Sequence, residues 1–474
     1  MRLSAAVGLS LAAFAAVPVP ARAADRPNIV VIFADDLGWG DLACYGHPRF
    51  KTPELDRLAA QGARLTNFYV PVPYCAPSRA AILTGRYPAR CGMPFNPVPA
   101  ADGGEKNGDA RGLPVAEVTL ADLLRKAGYA TACVGKWHLG HHEPFLPTRR
   151  GFDEYLGVLY SNDMHRVELF DGERMVEYPV VQTTLMRRLT ERAVGFIERN
   201  RERPFFLYFP TSAVHKPLAP AEAFYKQSGA GLYGDAVAEL DWSVGQVLAK
   251  LRDLKLDDRT LVIFSSDNGP WYGGSAGGLR GMKGQTWEGG LRVPLIARWP
   301  GRIPAARVVA APAIVMDVFP TVLAAAGVPA PADRTIDGRD LTGLLAADVA
   351  PPREALFFFA GDALRAVRSE KWKLHVAPPG PGRDKVWAPD EPWLDPRRPD
   401  GVRILAPFEQ AHPSAFPGVR TGDPGAAGSL FDLDADAAEQ KNVAAANPEV
   451  VRRLQALAER MKADLAKDGP PKAE

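Results

Sequence analysis

The stretch Asn28-Ile29-Val30-Val31-Ile32-Phe33-Ala34-Asp35-Asp36 decides the fold of this 474-residue chain. Residues 29–34 form a continuous apolar run of the length of a β-strand, and two acids follow it at once. Apolar side chains on both faces of a strand are typical of a parallel sheet that is covered by helices on both sides. The run therefore predicts an α/β fold, with two acids at the carboxyl end of a strand.

The same arrangement of an apolar run followed by polar residues recurs three times along the chain. The runs and the residues after them are 130–134 with Lys136 and His138, 205–209 with His215, and 261–264 with Asp267 and Asn268. Helical apolar spacing lies between these runs, at 55–62, 118–127 and 240–254. In a parallel α/β sheet, ligands bind beyond the carboxyl ends of the strands, so these residues are predicted to form one site.

The pattern changes after about residue 350. Short apolar runs at 355–359, 363–368, 372–376 and 430–433 predict an antiparallel sheet, and residues 378–428 predict a long loop or insertion rich in Pro and Gly. Asn447-Pro448 predicts the cap and first turn of a helix whose apolar face includes positions 450, 454, 457, 461 and 465. The predicted organisation is a catalytic domain at 24–350 and a smaller C-terminal α+β domain at 351–474.

Composition and the N-terminal segment limit the possible functions. The formal net charge of +2 argues against nucleic-acid binding driven by bulk charge. Residues 1–23 combine Arg2, an apolar run at 9–19 and Ala21-Arg22-Ala23, which is the pattern of a cleaved signal peptide. A secreted or periplasmic protein is therefore expected. No later segment is apolar enough over sufficient length to predict a membrane span.

Three groups of residues suggest chemistry. Asp35, Asp36, Asp267 and Asn268 offer only oxygen ligands, which suit Ca²⁺ or Mg²⁺, although each pair alone is also an ordinary turn sequence. Cys75 begins a predicted helix, whose N-terminus favours an anion, and Arg79 follows one turn later. Lys283 lies in a glycine-rich segment that allows close approach of a ligand, although a lone loop lysine is more often simply exposed.

The run Cys75-Ala76-Pro77-Ser78-Arg79, continued to Leu83-Thr84-Gly85-Arg86, fits the pattern C-x-P-S-R-x-x-x-L-T-G-R. It resembles the signature of the type I, formylglycine-dependent sulfatases, and within them the group of arylsulfatase A and N-acetylgalactosamine-6-sulfatase. The Asp-Asp and Asp-Asn pairs, Gly135-Lys136-Trp137-His138 and Leu279-Arg280-Gly281-Met282-Lys283-Gly284 are similar to further motifs of that family.

The resemblance implies an alkaline-phosphatase-like fold and a sulfate monoester hydrolase that acts on aryl or carbohydrate sulfates. It implies that a formylglycine-generating enzyme oxidises Cys75, and that the hydrate of the resulting aldehyde is the nucleophile. The implied metal ligands are Asp35, Asp36, the modified Cys75, Asp267 and Asn268, with Ca²⁺ expected and Mg²⁺ possible.

The remaining implied roles involve cations, histidines and one serine. Arg79, Lys136 and Lys283 would stabilise charge on the sulfuryl group, and His215 with Lys283 would assist the leaving group. His138 would take a proton during sulfate release. Lys136, His215, Lys283 and Ser161 would contact the substrate, with Ser161 assigned from a short motif.

Several alternatives stay open at this stage. The same residues could serve a phosphomonoester or phosphonate hydrolase, a non-catalytic protein that binds sulfated glycans, or a cysteine hydrolase that uses Cys75. The substrate is not readable, and the segments expected to select it are 96–111, 163–166, Trp271-Tyr272 and the region of Trp387 and Trp393. Two of Cys44, Cys91 and Cys133 could also form a disulfide.

Overall fold

The computed structural model describes residues 26–99, 112–347, 349–350, 353–380, 385–392 and 410–470. The expected signal peptide and Trp393 lie outside these residues. The strands are β1 (Asn28–Ala34), β2 (Ala63–Tyr69), β3 (Ala130–Val134), β4 (Glu154–Gly157), β5 (Leu169–Asp171), β6 (Arg174–Glu177), β7 (Phe205–Pro210), β8 (Thr260–Ser266), β9 (Arg292–Arg298), β10 (Arg307–Val309), β11 (Ala313–Ile314), β12 (Leu356–Ala360), β13 (Ala363–Ser369), β14 (Trp372–His375) and β15 (Ser429–Asp432). The helices are α1 (Pro53–Ala60), α2 (Cys75–Thr84), α3 (Pro88–Cys91), α4 (Leu120–Lys126), α5 (Leu185–Arg199), α6 (Gly231–Asp253), α7 (Glu288–Leu291), α8 (Val318–Ala326), α9 (Thr342–Ala347) and α10 (Pro448–Lys467).

The large sheet is mixed but mostly parallel. Its strand order is β10-β2-β9-β8-β1-β7-β3-β4-β5-β6, and β11 extends the pairing of β2. The central strands β8, β1, β7, β3 and β4 are all parallel, whereas β9 runs antiparallel between β2 and β8. The α/β prediction is thereby confirmed, and all four apolar runs predicted from the sequence lie side by side in the parallel centre.

The alternation along β1 explains why its sequence is apolar from Ile29 to Ala34. Ile29, Val31 and Phe33 pack into one hydrophobic core, and the residues between them pack into a second core on the other face of the sheet. Each core is closed by helices: α2, α4 and α8 contribute to the first, and α1, α5 and α6 contribute to the second. A strand buried on both faces favours apolar side chains along its length, and here the acidic residues begin directly after its last residue, Ala34.

The predicted C-terminal sheet is confirmed as an antiparallel sheet of order β12-β13-β14-β15. Its buried residues Phe358, Val367 and Leu374 belong to the same hydrophobic core as Ile29 of the large sheet. The position of the domain boundary near residue 350 remains a prediction.

Two local expectations differ from the structure. The helix predicted over 240–254 begins earlier, at Gly231, because a further apolar face includes Leu232 and Val237. Asn447 does not cap α10 with its side chain: its Nδ2 donates to the Val443 carbonyl at 2.9 Å, and Pro448 alone marks the first turn as expected.

The four cysteines are unpaired, so none of the considered disulfides is present. Cys133 is a buried residue of β3, as expected for a small core side chain. Among the described residues, no helix combines the length and apolar character that crossing a bilayer requires.

Candidate active site

The predicted site residues meet at the carboxyl ends of the parallel strands. Backbone hydrogen bonds tie the segments after these ends together, from Asp35 N–H to Ala213 O at 2.9 Å and from Asp267 N–H to Ala34 O at 3.1 Å. Lys136 N–H likewise donates to Pro210 O at 2.7 Å. The structure therefore brings residues from β1, β3, β7 and β8 into one buried centre.

Cys75 lies at the first position of α2, at the middle of this centre. Its Sγ is 3.5 Å from Asp35 Oδ1 and 3.3 Å from Lys283 Nζ, and the side chain is buried. Burial raises the pKa of the thiol more than the neighbouring lysine charges lower it. The encoded thiol is therefore protonated near neutral pH, which argues against its use as a thiolate nucleophile.

Side chains whose oxygen atoms suit a hard cation surround the thiol. One ligand atom each of Asp35, Asp36, Cys75 and His215 lies within 4.8 Å of the others. Asn268 Nδ2 donates to Asp36 Oδ1 at 2.7 Å, while Asn268 Oδ1 is buried without a hydrogen-bond partner among the described residues. An orphaned amide oxygen beside two carboxylates fits a Ca²⁺ or Mg²⁺ site, because both ions take oxygen ligands.

Asp267 is close to this group, and its carboxylate also accepts hydrogen bonds that hold the site together. Its Oδ1 accepts from Asp36 N–H at 3.1 Å, and its Oδ2 accepts from Arg79 Nη2 at 2.7 Å. Although burial alone would raise the pKa of Asp267, the Arg79 and lysine charges hold it below the ordinary value. Asp267 is therefore an anion that fixes Arg79 and remains next to the cation ligands.

Three basic side chains neutralise the acids. Lys136 Nζ contacts Asp35 Oδ2 at 2.7 Å, and Lys283 Nζ contacts Asp36 Oδ1 at 2.6 Å. Arg79 also donates to the Lys136 carbonyl at 2.8 Å, so it holds the backbone of the segment after β3. Burial raises the pKa of Asp35 to about 7, opposed chiefly by Lys136.

The two histidines predicted for proton transfer are both buried and neutral. Burial and the nearby lysine charges lower the pKa of His138 and of His215 well below the ordinary value. His215 Nδ1 lies 2.6 Å from the Lys216 carbonyl, so this nitrogen carries the hydrogen and Nε2 faces Asp36 Oδ2 at 3.5 Å. His215 can therefore donate a proton from Nε2 only in its doubly protonated form.

His138 and Ser161 complete the group predicted from the sequence. His138 Nε2 lies 3.1 Å from Pro97 O, and its Nδ1 is buried without a described partner. Ser161 Oγ accepts from Lys136 Nζ at 3.1 Å, which places this serine beside a charge of the site. Asp36 and His138 have φ of 60° and 58°, in the left-handed region that only a few residue types tolerate. Backbone strain of this kind is common at functional sites.

The segments expected to select the substrate are partly described. Asn96 Oδ1 accepts from Ala76 N–H at 2.9 Å, so it binds the start of α2, whereas 100–111 lie outside the described residues. Lys216 Nζ lies 5.5 Å from the ring centroid of Trp271, next to His215. His165 is exposed at the surface.

One organising residue, Asp41, was missed by sequence reasoning. Its carboxylate accepts from Gly38 N–H, from Ser275 N–H and from Tyr233 OH at 2.6 to 2.7 Å, so it joins the segment after β1 to the segment that leads to Lys283. Its partners lie up to 234 positions away. No local sequence signal could have indicated this contact.

The fold and the site define a hydrolase of the sulfatase class, and the chain belongs to the sulfatase family. The family model "Sulfatase" matches residues 27–328, and "C-terminal region of aryl-sulfatase" matches residues 351–472. The chain is similar to arylsulfatase A of Homo sapiens, with 40% identity over 95% of this chain and 89% of that protein. It is also 41% identical to N-acetylgalactosamine-6-sulfatase of Canis lupus familiaris, over 75% of this chain and 72% of that protein.

Solved structures agree with this assignment. A sulfatase from Pseudoalteromonas sp. has a TM-score of 0.76 at 28% identity, and the match covers 94% of this chain and 92% of that one. A phosphonate monoester hydrolase of Agrobacterium radiobacter has a TM-score of 0.60 at 19% identity over 94% and 96% of the two chains, which is a likeness of fold alone. The protein is a sulfatase with an alkaline-phosphatase-like fold.

Proposed function

We propose that this enzyme hydrolyses aryl or carbohydrate sulfate monoesters through the hydrate of a formylglycine derived from Cys75. The observation that carries the proposal is the position of Cys75, between Asp35 and Lys283 in a buried site that belongs to a sulfatase chain. A thiol with a raised pKa is poorly suited to direct attack, whereas an aldehyde hydrate at the same carbon is an oxygen nucleophile with a second hydroxyl in reserve.

A divalent cation fits the oxygen ligands of the site, with Asp35, Asp36, Asn268, Asp267 and the modified residue 75 as its proposed ligands. When bound, such an ion would lower the cost of forming an anionic oxygen nucleophile and would offset charge on the sulfuryl oxygens. We propose Ca²⁺, which the family resemblance implies, with Mg²⁺ as the second candidate; both ions take oxygen ligands.

The basic side chains stabilise the transition state of attack on sulfur. One hydroxyl of the hydrate loses its proton to Asp267, the proposed acceptor, and its oxygen forms a bond to sulfur while the bond from sulfur to the ester oxygen breaks. Lys136 and Lys283 would lie against the sulfuryl oxygens, where charge develops. Ser161, which Lys136 contacts, is the proposed additional substrate contact.

Departure of the alcohol requires a proton on the ester oxygen. His215 is the proposed donor, assisted by Lys283, and it must be doubly protonated to donate from Nε2. The negative charge of a bound sulfate ester favours that form, which the free site disfavours through burial and the lysine charges. Substrate and proton are therefore expected to bind together.

Release of sulfate uses the second hydroxyl of the hydrate. His138 is the proposed base: its Nδ1 is buried and unpartnered among the described residues, and its depressed pKa keeps it neutral. Loss of that hydroxyl proton forms the carbonyl bond, breaks the bond between carbon and the sulfate oxygen, and restores the aldehyde. No water molecule attacks sulfur in this sequence.

The first test is the mass of the peptide at positions 65–79 from protein made in a host that contains a formylglycine-generating enzyme. Conversion replaces the thiol of Cys75 by an aldehyde, and the peptide mass falls accordingly. Active protein in which this peptide carries only cysteine would overturn the mechanism. Protein from a host without the maturing enzyme serves as the unmodified control.

The second test separates sulfate from phosphate chemistry. Sulfate and phosphate monoesters and a phosphonate monoester of the same phenol are assayed in parallel, and the sulfate is expected to have the highest kcat/KM. Faster turnover of either phosphorus compound would favour the alternative hydrolase. Binding of sulfated glycans without turnover by fully matured protein would favour a non-catalytic role.

The cellular location is also a proposal. The residue pattern at 1–23 supports export to the periplasm or to the outside of the cell. N-terminal sequencing of protein recovered from the exported fraction is expected to show a chain that begins directly after Ala23.

A further inference from the structure

We propose that Glu439, in the C-terminal part of the chain, is a positioning residue that holds Lys283 in the active site. The inference rests on the catalytic role proposed for Lys283. Lys283 lies on a segment without regular secondary structure, and stabilising a transition state requires its charge to be held in one position.

The segment that carries Lys283 has no helix or strand between the end of β8 and the start of α7. Lys283 Nζ nevertheless reaches Asp36 at 2.6 Å and Cys75 Sγ at 3.3 Å. A long lysine side chain delivers its charge to one place only if the backbone beneath it is fixed. Contacts from elsewhere in the chain must therefore hold this segment.

Glu439 binds the segment on both sides of Lys283. Its backbone carbonyl accepts from Arg280 Nη1 at 2.8 Å, three positions before the lysine. Its carboxylate Oε2 accepts from the backbone N–H of Glu288 at 2.6 Å, five positions after the lysine. One residue thus fixes the entry and the exit of the arch formed by residues 280–288, whose ends also meet through the 2.7 Å bond from Gly289 N–H to Arg280 O.

The second carboxylate oxygen of Glu439 is held by basic side chains of the C-terminal sheet. Lys373 Nζ lies 3.1 Å from Glu439 Oε1, and His375 Nε2 lies 2.8 Å from the same atom. Lys373 Nζ also contacts Glu288 Oε1 at 3.0 Å. We name these four residues, Glu288, Lys373, His375 and Glu439, the Glu439 cluster; all four are fully buried.

The backbone of Glu439 has φ of 53°, in the left-handed region. A non-glycine residue there costs on the order of 1 kcal/mol, and the conformation lets carbonyl and carboxylate of one residue face the same segment. Arg280 strengthens the first contact because its guanidinium lies 3.8 Å from the ring centroid of Trp287. The side chains that fix the arch are thus themselves held in place.

The test is a double-mutant cycle on the matured enzyme with an aryl sulfate as substrate. Glu439→Gln keeps the size of the side chain and removes its charge, and it is made alone and together with Lys283→Ala. If Glu439 acts through Lys283, Glu439→Gln lowers kcat by about 10- to 100-fold in the wild-type background. In the Lys283→Ala background the same change has an effect of less than about 2-fold.

A matched control separates positioning from general destabilisation. Arg90 is another buried residue that joins the C-terminal part to the catalytic part, through Asp337 at 3.0 Å and the carbonyl of Asp468 at 2.8 Å, and it lies outside the arch. Arg90→Met is expected to lower the melting temperature with less than about a 2-fold change in kcat below the transition. Glu439→Asp, which keeps the charge and shortens the side chain, replaces Glu439→Gln in the cycle if that variant does not fold.

The outcomes are distinct. Equal losses of kcat from the Glu439 change in both backgrounds, or no loss in the wild-type background, would overturn the positioning role. Near-wild-type activity of Lys283→Ala alone would instead overturn the catalytic role proposed for Lys283. That result is read from a different variant, so the two failures cannot be confused.

Discussion

The active site and the Glu439 cluster are both buried groups of acids and bases, yet they differ in how their polar atoms are satisfied. In the Glu439 cluster all four carboxylate oxygens are engaged, since Glu288 also accepts from Tyr69 OH at 2.6 Å, and the buried atom without a described partner is the ring nitrogen His375 Nδ1. In the active site, Asn268 Oδ1 and His138 Nδ1 are buried without a described partner. Burying a charge is costly unless it is paired. We call a cluster open where an oxygen ligand such as Asn268 Oδ1 lacks a described partner, which indicates a cation site, and closed where every carboxylate oxygen is engaged, which indicates a structural role.

The largest effect is expected from a substitution of Cys75, at the centre of the open cluster. Cys75→Ala should lower kcat by about 10⁴-fold or more, because it removes the side chain that is proposed to become the nucleophile. The melting temperature should change little, since only one small buried side chain is shortened. Steady-state turnover and thermal unfolding are measured on the same preparation, with Cys44→Ala as the control thiol. Turnover within about 10-fold of wild type would contradict the assignment of Cys75.

The same substitution in each cluster provides the sharpest comparison. Lys136→Met should lower kcat/KM by about 10² to 10³, because it removes a charge aimed at the sulfuryl group. Lys373→Met should instead lower the free energy of unfolding by about 3 kcal/mol, since it leaves two buried carboxylates without their shared cation.

Both lysine variants are compared by kcat/KM and by denaturant unfolding at one pH. The loss of kcat/KM relative to the loss of free energy of unfolding should be far larger for Lys136→Met than for Lys373→Met. If the two variants show the same ratio, the distinction between open and closed clusters fails.

A stability effect of similar size is expected from the cation. Ca²⁺ at about 100 times its Kd should raise the free energy of unfolding of the matured enzyme by about 3 kcal/mol, because the ion binds the folded state. Asn268→Ala should lose most of this stabilisation, and a chelator should reverse it in the wild type. Lys373→Met is the control, which should keep the Ca²⁺ response. An unchanged response in Asn268→Ala would contradict the proposed ligand.

The smallest effect concerns Glu239, a buried acid that belongs to neither cluster. Its Oε2 accepts from Ala221 N–H at 3.1 Å, its Oε1 is unpartnered among the described atoms, and burial raises its pKa from 4.5 to about 7. The folded protein thus binds the Glu239 proton more tightly than the unfolded chain does. The contribution of Glu239 to the free energy of unfolding is therefore highest below pH 4.5, where this residue is protonated in both states, and it falls as pH rises from about 4.5 to about 7. Glu239→Gln should be more stable than wild type by about 2 kcal/mol at pH 8 and equal to it near pH 4.

Denaturant unfolding of both proteins across this pH range checks the sign. An advantage of Glu239→Gln that is constant with pH would show that the proton on Glu239 is not responsible. Glu222→Gln, on the neighbouring exposed segment, is the control and should follow the wild type.

The sequence predicted the parallel centre and the site because both are encoded locally. A continuous apolar run such as 29–34 predicts a strand that is buried on both faces. The residue that follows the run then lies at the carboxyl end of the strand. The antiparallel strand β9 was not predicted, because the sequence of residues 292–298 does not indicate whether the strand runs parallel or antiparallel to its neighbours. The Glu439 cluster was also missed, because its contacts join residues 64 to 151 positions apart.

Predicted roles also differ in how far geometry supports them. Lys136 and Lys283 reach the acids of the site, while the contacts with substrate that their motifs imply remain a prediction. His215 is present at the site, but its tautomer depends on the Lys216 carbonyl, a backbone contact that no motif encodes. Sequence patterns identify which side chains meet, whereas the protonation state arises from the packing around them.

If Cys75 is converted to formylglycine as proposed, its burial would set the order of events in biogenesis. Every residue of α2 is buried, and Cys75 itself is only 1% exposed, beneath side chains that come from as far along the chain as Lys283. A maturing enzyme would therefore reach this thiol only before the polypeptide has folded. Oxidation and folding would compete for the same nascent chain, so variants that fold faster are expected to yield less mature enzyme from the same amount of protein.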